Sequence, residues 1–207
     1  MFRLWILIFS LVLTWSAISP YDRLTWWLEI APALAGAGLV IWSRERFPLT
    51  SLCLWLILAH CIILMVGGHY TYARVPLFDW IADWLGQTRN NYDKLGHLAQ
   101  GFVPAIIARE LLLRLKVVNG RGWCAFFVVC FCLALSAFYE LIEWWVALLS
   151  GAGAEAFLGT QGYVWDTQSD MFMALVGALL ALATLHRYHD AQMARLSVYS
   201  TSRDAGG

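Results

Sequence analysis

Long apolar runs separated by short polar segments make up most of the chain. A helix that crosses a bilayer needs about 20 mostly apolar residues, because lipid offers no hydrogen-bonding partner to the backbone. Six stretches approach or exceed that length, and we predict a spanning helix at each. They are Leu4 to Ser19, Leu24 to Trp42, Leu49 to Val66, Leu95 to Leu113, Trp123 to Leu149, and Thr167 to His186. The chain is therefore predicted to be an all-α, polytopic six-helix transmembrane bundle.

The first stretch also has features of a secretion signal, because Arg3 precedes an apolar run that ends in small residues. Trp5 and Trp15 within the run, together with five further spans, favour a helix that is retained as an anchor.

The distribution of Lys and Arg between the loops predicts the orientation, because cytoplasmic loops carry an excess of these residues. With the N-terminus in the cytoplasm, nine of the 14 lie on that side: Arg3, Arg44, Arg46, Arg114, Lys116, Arg121, Arg187, Arg195 and Arg203. The other side holds four: Arg23, Arg74, Arg89 and Lys94. Arg109 lies near the inner end of the fourth span, from where it can extend to water. Both termini are predicted to be cytoplasmic, with residues 1–190 forming one transmembrane domain and residues 191–207 a polar cytoplasmic tail.

Two of the predicted outer loops are long enough to have structure of their own. In the segment from Pro76 to Gly86, apolar residues recur at near-helical spacing against Asp79 and Asp83. This pattern is typical of a short helix in the headgroup layer. The loop from Ser150 to Trp165 is rich in glycine and has no Lys or Arg, so it is expected to bend sharply.

Composition and charge narrow the function classes. The chain is 60% hydrophobic and only 14% charged, with a formal net charge of zero. The hydrophobic fraction is far above that of a water-soluble fold. Nucleic-acid binding is not expected, because there is no basic excess. The five cysteines lie in apolar runs without a C-x-x-C pair, so neither a disulfide framework nor a zinc ribbon is predicted.

Ionisable residues inside the predicted spans are the candidate functional groups, because a carboxylate there is costly unless it has a partner. At about 100° per residue, Asp93, His97 and Gln100 share one face of the fourth span. The fifth span carries Glu140 and Glu143 one turn apart. The sixth opens with Asp166 and Asp170, also one turn apart. In the predicted orientation all three motifs fall in the outer half of the membrane.

Five carboxylates at one depth could not all remain ionised without protonation, an ion pair with Lys94, or a bound cation. Carboxylates with one imidazole suit Mg²⁺, Mn²⁺, Ca²⁺ or Zn²⁺, so a divalent metal ion is the expected cofactor. The candidate metal ligands are Asp93, His97, Glu140, Glu143, Asp166 and Asp170. The candidate catalytic residues are Glu140, Glu143, His97 and Asp170.

Simpler explanations exist for some of these residues. Asp93 and Asp166 also fit the N-cap positions of their helices, and Asp170 the fourth position of a capping box with Thr167. His97 alone is compatible with a hydrogen-bonded core histidine. Glu140 and Glu143 lie mid-helix, far from any end they could cap. Glu29 and His60 fall at a similar depth and are candidates for groups behind the ligands.

These motifs resemble a known family. Asp93-Lys-Leu-Gly-His97, Tyr139-Glu140-Leu-Ile-Glu143-Trp-Trp and Trp165-Asp166-Thr-Gln-Ser-Asp170, spread over six hydrophobic spans, resemble the uncharacterised YjdF-type family of bacterial inner-membrane proteins. The likeness covers nearly the whole chain and implies localisation in the inner membrane. A looser likeness over about 80 residues connects the chain to the VanZ-like membrane proteins, which are associated with glycopeptide resistance. This chain differs from them in having Glu143 where they commonly have Gln, and in lacking an Arg before Asp166.

Three functions remain open at this point. The first is metal-dependent hydrolysis or modification of a lipid or lipid-linked headgroup that enters from the membrane plane. The second is an ion- or proton-coupled transporter. The third is a non-catalytic membrane scaffold in which the charged cluster fixes the register of the helices.

Overall fold

A computed structural model describes the backbone of residues 1–150 and 160–204 and the side chains of residues 1–149 and 160–196. Within these ranges the protein is all-helical, without a β-strand. The helices are α1 (Phe2–Ala17), α2 (Arg23–Ser43), α3 (Ser51–Tyr70), α4 (Pro76–Leu85), α5 (Tyr92–Arg114), α6 (Arg121–Ser150) and α7 (Asp166–Asp204). A short 3₁₀ helix, Tyr72–Arg74, lies between α3 and α4.

A helix lies at each of the six predicted positions. Four of them, α2, α3, α6 and α7, are long and apolar enough to cross a membrane, judged by the described residues. The helix α1 is apolar but has only 16 residues, about 24 Å in length. The helix α5 is not among the four, and it carries His97, Gln100, Arg109 and Glu110 in its interior. The described residues are therefore all-helical, and four of their helices are candidate membrane spans.

The last helix is longer than the sequence predicted. The sixth span was expected to end at His186, whereas α7 continues to Asp204 and includes much of the predicted polar tail. The continuation is polar in sequence, yet it packs against the beginning of α3. His189 is fully buried there, and the side chain of Gln192 accepts a hydrogen bond from the backbone N–H of Leu52 at 2.9 Å. Hydropathy alone missed this segment because its buried contacts are polar.

The helix predicted between Pro76 and Gly86 is confirmed as α4. Pro76 lies in its first turn, where a missing N–H is not needed, and Gly86 ends it with a left-handed φ of 65°. Leu77, Trp80 and Trp84 are exposed on one side of α4. The predicted glycine-rich loop falls mainly on residues 151–159, which lie outside the described residues.

The centre of the bundle is α5, which packs against α3, α6 and α7, most extensively against α7. The backbones of α5 and α7 almost touch. A Cβ atom at Gly101 would overlap the carbonyl of Ala174, and one at Gly177 would overlap the carbonyl of Leu98. Small residues at a helix interface allow such an approach. It fixes the register of α5 against α7 and so determines which polar residues of the two helices face each other.

Replacing Gly101 by Ala is expected to destabilise the protein by about 1 to 3 kcal/mol, because the new methyl group meets backbone that cannot rotate away. Thermal unfolding of the purified protein in detergent would measure the loss. Gly38→Ala is the matched control, because a Cβ there meets nothing within 4 Å. Equal stability of the two variants would show that α5 and α7 are not in backbone contact.

Candidate functional site

Three helices bring their ionisable residues together at one end of the bundle. His97 of α5 lies at the centre of the group. Its Nε2 is 3.3 Å from Asp93 Oδ1, 3.8 Å from Glu140 Oε1 of α6, and 3.9 Å from Asp170 Oδ1 of α7. All four residues are buried. We call this group the His97 cluster.

The ring of His97 is oriented by a residue on its own helix. Its Nδ1 lies 3.0 Å from Oε1 of Gln100, one turn further along α5. When the Nδ1 hydrogen is donated to that oxygen, Nε2 faces the three carboxylates, with a lone pair in the neutral ring and with a hydrogen directed at Asp93 in the protonated ring. A histidine that binds a metal ion needs this arrangement, in which the other ring nitrogen donates to a fixed acceptor. The face that helical spacing predicted for Asp93, His97 and Gln100 thus has a defined orientation.

Two cations hold the first turn of α7 against α5. Lys94 Nζ donates to Asp166 Oδ1 at 2.7 Å and to Asp170 Oδ1 at 2.6 Å. Arg89 Nη2 donates to the same oxygen of Asp166 at 2.6 Å. Asp166 is thus engaged by both cations, whereas Asp170 pairs with Lys94 and also faces His97. Of the six predicted ligands, Asp166 is the one that the structure places mainly in ion pairs.

Asp93 does not cap the start of α5. The residue before α5 is Asn91, and its side chain makes no capping hydrogen bond. The carboxylate of Asp93 instead faces Arg89 Nη2 at 3.4 Å and His97. Asp93 therefore belongs to the His97 cluster, since its partners are side chains rather than the free N–H groups of the first turn.

A polar cavity of about 140 Å³ adjoins the His97 cluster. It lies between α2, α3, α5 and α6. The polar side chains that line it are Glu29, His60, Tyr72, Asp93, His97, Gln100, Tyr139 and Glu143. Glu143 thus faces the cavity, whereas Glu140, one turn earlier, faces His97. Glu29 and His60, which the sequence suggested only as groups behind the ligands, share the cavity with His97.

One oxygen of the cluster lacks a partner. Oε1 of Glu140 is buried and accepts no hydrogen bond from any of the described residues, and the residue as a whole is 8% exposed. A buried carboxylate oxygen without a partner costs free energy in a medium of low dielectric. It is therefore a position where a cation or a proton donor would be stabilised.

The residues present fit a divalent metal ion. One ligand atom from each of Asp93, His97 and Asp170 lies within 4.8 Å of the other two, so this group could hold a metal ion. Bonds from such ions to oxygen and nitrogen are about 2.0 to 2.6 Å long, which allows ligands of one ion to be up to about 5 Å apart. Glu140 is outside this group of three, and its unpartnered Oε1 lies 3.8 Å from His97 Nε2.

Tyr72 is a cavity residue that sequence analysis missed, because it lies in the 3₁₀ helix outside every predicted span. Its ring fits between α3 and α5, where a Cβ atom at Gly67 or at Gly96 would overlap it. Burial first, and then the nearby charge of Glu29, raises the pKa of Tyr72 above its ordinary value. The phenol therefore stays protonated and presents a donor to the cavity.

A second buried cluster lies at the opposite end of α5, and sequence analysis did not find it. Glu110 is its centre. The carboxylate accepts hydrogen bonds from Thr50 Oγ1 at 2.6 Å, from Arg114 Nη1 at 2.6 Å, and from Cys53 Sγ at 3.0 Å. His189 Nε2 lies 3.0 Å from the same carboxylate. Cys53, Glu110 and His189 form a second group whose atoms could hold a metal ion.

The protonation of His189 decides between a metal site and an ion-pair site. Its Nδ1 lies 3.0 Å from Arg109 Nη1. Arginine can only donate, so Nδ1 is the acceptor and the ring hydrogen sits on Nε2, where it is donated to Glu110. Both ring nitrogens are then occupied, which favours a structural ion-pair cluster over metal binding.

Arg109 was expected to extend to water, but this is wrong. It is buried and pairs with His189 and Asp190.

A helical bundle with long apolar helices and charged residues buried between the helices defines an integral membrane protein. The chain belongs to the family described as "Predicted membrane protein (DUF2238)", which matches residues 1–191. It is 53% identical over 189 residues to the inner membrane protein YjdF of Escherichia coli (strain K12), covering 91% of this chain and 90% of that protein. No solved structure matches the chain. The resemblance to the YjdF-type family is thereby confirmed, and the protein is a bacterial inner-membrane protein.

Glu110→Gln is expected to destabilise the protein by about 3 to 5 kcal/mol, because it leaves Arg114 without its counter-charge and replaces one of the two oxygens that accept from Thr50, Arg114 and His189. Thermal unfolding in detergent would measure the change, with the exposed Glu45→Gln as control. Metal content should be the same in Glu110→Gln as in the parent. A loss of bound metal in this variant would contradict the structural role of the second cluster.

Proposed function

We propose that the chain crosses the membrane six times, with both termini in the cytoplasm and residues 1–190 forming one transmembrane domain ahead of the tail at 191–207. The packing supports the two spans that hydropathy leaves out. The helix α5 packs against α3, α6 and α7, which supports its crossing the membrane with them. The helix α1 is attached to α3 through Trp5, a buried residue whose Nε1 donates to the carbonyl of Leu54 at 2.7 Å.

This topology predicts opposite labelling of two exposed positions. In intact cells with a permeabilised outer membrane, a thiol reagent that does not cross the inner membrane should label Asp83→Cys of α4 but not Glu45→Cys between α2 and α3. Both should be labelled after the inner membrane is opened. The parent chain, whose described cysteines are buried except for Cys130, serves as control. Labelling of Glu45→Cys in cells with an intact inner membrane would reverse the proposed orientation.

The proposed activity is hydrolysis or modification of a lipid or lipid-linked headgroup, dependent on a divalent metal ion. The observation that carries it is the unpartnered Oε1 of Glu140, 3.8 Å from His97 Nε2 and next to a polar cavity. A metal ion bound there would supply a water molecule of lowered pKa. The substrate would enter the cavity from the plane of the membrane.

In this proposal the role of each residue follows from its position in the site. Asp93, His97 and Asp170 would bind the ion, and Gln100 would hold the ring of His97 in the ligating tautomer. Glu140 would complete the site. Glu143 faces the cavity, where a carboxylate could accept a proton from the attacking water. Asp166, originally a candidate ligand, would act through Lys94 and Arg89 by fixing the start of α7.

The alternatives are less well supported. A transporter needs polar groups along a path through the protein, but Val103, Ala105 and Ile106 are buried and apolar between the His97 cluster and the Glu110 cluster. A scaffold would be expected to satisfy all its buried charges, as the Glu110 cluster does. The unpartnered oxygen of Glu140 distinguishes the His97 cluster from such a site.

The purified protein is expected to contain close to one equivalent of divalent metal, measured by elemental analysis. Glu140→Gln and His97→Ala should each reduce it at least about tenfold, since loss of a ligand or of its orientation weakens metal sites by that order. Asp83→Asn, an exposed carboxylate on α4, should not. Metal-free parent protein that retains its biological activity would overturn the proposal.

The enzymatic part is tested by incubating the protein with lipids extracted from the host membrane and following the headgroups by mass spectrometry. A change in one lipid class should require added metal and should be absent with His97→Ala. Asp83→Asn should act like the parent. The same change with His97→Ala as with the parent would exclude the His97 cluster as the reacting centre.

A further inference from the structure

A separate cavity of about 180 Å³ lies between α5, α6 and α7, at the end of the bundle opposite the His97 cluster. We call it the Arg109 cavity. A cavity needs only about 15 Å³ to hold one water molecule, so this one has room for a phosphate group with some of its waters. The polar residues that line it are Arg109, Arg121, His186 and Asp190, and its apolar wall includes Leu113 and Leu182.

The Arg109 cavity lies at the depth of lipid headgroups in the proposed topology. The helix α7 begins at Asp166, and His186 follows 20 residues later, about 30 Å along the helix axis. The hydrocarbon core of a bilayer is also about 30 Å thick. Since Asp166 lies near the outer boundary of that core, His186 lies near the inner one, where the phosphates of the cytoplasmic leaflet are.

The fixed charge of the Arg109 cavity is positive. Arginine is always protonated in proteins, so Arg109 and Arg121 each contribute one positive charge. Asp190 Oδ1 lies 2.5 Å from Arg109 Nη2 and balances one of these charges. Arg121 is exposed and has no ion pair among the described residues. The excess remains when Asp190 is counted as fully ionised, so the cavity favours an anion.

The Arg109 cavity also offers hydrogen-bond donors. Arg109 donates from Nη1 to His189 and from Nη2 to Asp190, so three of its five N–H hydrogens have no partner among the described residues. Nδ1 of His186 lies 2.8 Å from the carbonyl of Leu182 and donates its hydrogen there. A proton taken up by Nε2 of His186 is then available to an anion.

The position of Arg121 in its helix also favours an anion. It is the first residue of α6, where a positive charge is unfavourable because the macrodipole already makes this end of the helix positive. An anion next to Arg121 relieves this repulsion. It binds the guanidinium through charge-assisted hydrogen bonds and is attracted by the start of the helix as well.

We propose that the Arg109 cavity binds a phosphate group with a net negative charge, supplied by an anionic phospholipid of the cytoplasmic leaflet or by free phosphate. Basic pockets between transmembrane helices on this side bind lipid headgroups in the same way. Arg109 and Arg121 bind the phosphate oxygens, and the apolar wall at Leu113 and Leu182 suits the glycerol end of a lipid. The inference goes beyond the proposed function, from which it takes only the orientation that names the leaflet.

Arg121 offers the test, because an exposed position at the start of a helix tolerates the loss of a positive charge. Two variants are used. Arg121→Gln removes the charge, and Arg121→Glu reverses it to one that suits a helix start and repels an anion. Arg187→Gln is the matched control, since Arg187 is an exposed arginine next to His186 that does not line the cavity.

The probe is dioctanoyl phosphatidylglycerol, titrated into the purified full chain in a nonionic detergent with about 0.15 M ammonium acetate and followed by native mass spectrometry. About one molecule should bind to the parent. The Kd should rise about tenfold in Arg121→Gln and further in Arg121→Glu, because a charge-assisted contact is lost. It should change less than about twofold in Arg187→Gln, whose charge is screened. Equal Kd values for the parent and Arg121→Glu would overturn the proposal.

Two further probes test the charge and the source of the phosphate. Dioctanoyl phosphatidylcholine has the same chains and a phosphate but no net charge, so it should bind at least about tenfold more weakly. Equal binding of the two lipids would overturn the requirement for a net negative charge. Displacement of phosphatidylglycerol by inorganic phosphate would identify free phosphate as a sufficient ligand, whereas tight lipid binding without displacement would identify the lipid as the source.

The same samples separate this site from the proposed function. Metal content should be equal in the parent and in Arg121→Glu, because the Arg109 cavity lies at the other end of α5 from the His97 cluster. A metal-free parent that binds phosphatidylglycerol through Arg121 would refute the metal-dependent activity and retain this site. A metal-loaded parent that binds neither phosphatidylglycerol nor inorganic phosphate would refute this site alone.

Discussion

The placement of negative charge inside an apolar bundle is the constraint that the rest of the structure must satisfy. A carboxylate away from water needs a partner, and five of the acidic residues around His97 come from three different helices. No single helix can provide the partners: Lys94 lies on α5 and its carboxylates on α7, while Glu140 reaches His97 from α6. The cluster therefore requires α5, α6 and α7 to pack in one register. That register determines how the three helices are arranged in the bundle.

Steric contact supplies the precision that electrostatics alone lacks. Gly101 and Gly177 allow α5 and α7 to approach until backbone meets backbone, about one to two turns from the charged residues. At that distance a slip of one residue would rotate His97 away from Asp170 by about 100°. The ion pairs and the glycine contacts thus enforce the same register by independent means, and the position of His97 follows from both.

Helical periodicity predicted which residues share a face of one helix, but it did not predict most of the contacts between helices. It located all six helices, α4, and the shared face of Asp93, His97 and Gln100. It failed for His189, because the sequence after His186 is polar and its burial depends on partners on α3 and α5 that are 79 to 136 residues away. Arg109 was misplaced for the same reason. Composition cannot distinguish a charge that extends to water from one that meets a distant counter-charge.

The two buried clusters of α5 differ in whether their carboxylates have hydrogen-bond donors. At the Glu110 end, the carboxylate has hydroxyl, guanidinium, thiol and imidazole partners, and Arg109 fixes the tautomer of His189. Nothing further needs to bind. At the His97 end, Gln100 holds Nδ1 of the ring, so that Nε2 faces the carboxylates, and an oxygen of Glu140 is left without a hydrogen-bond donor. An arrangement that collects acceptors around a point, with acceptor facing acceptor, is stable only when a cation or a proton occupies that point. The buried apolar residues Val103, Ala105 and Ile106 separate the two clusters, so the contacts of the Glu110 cluster do not depend on what occupies the His97 cluster.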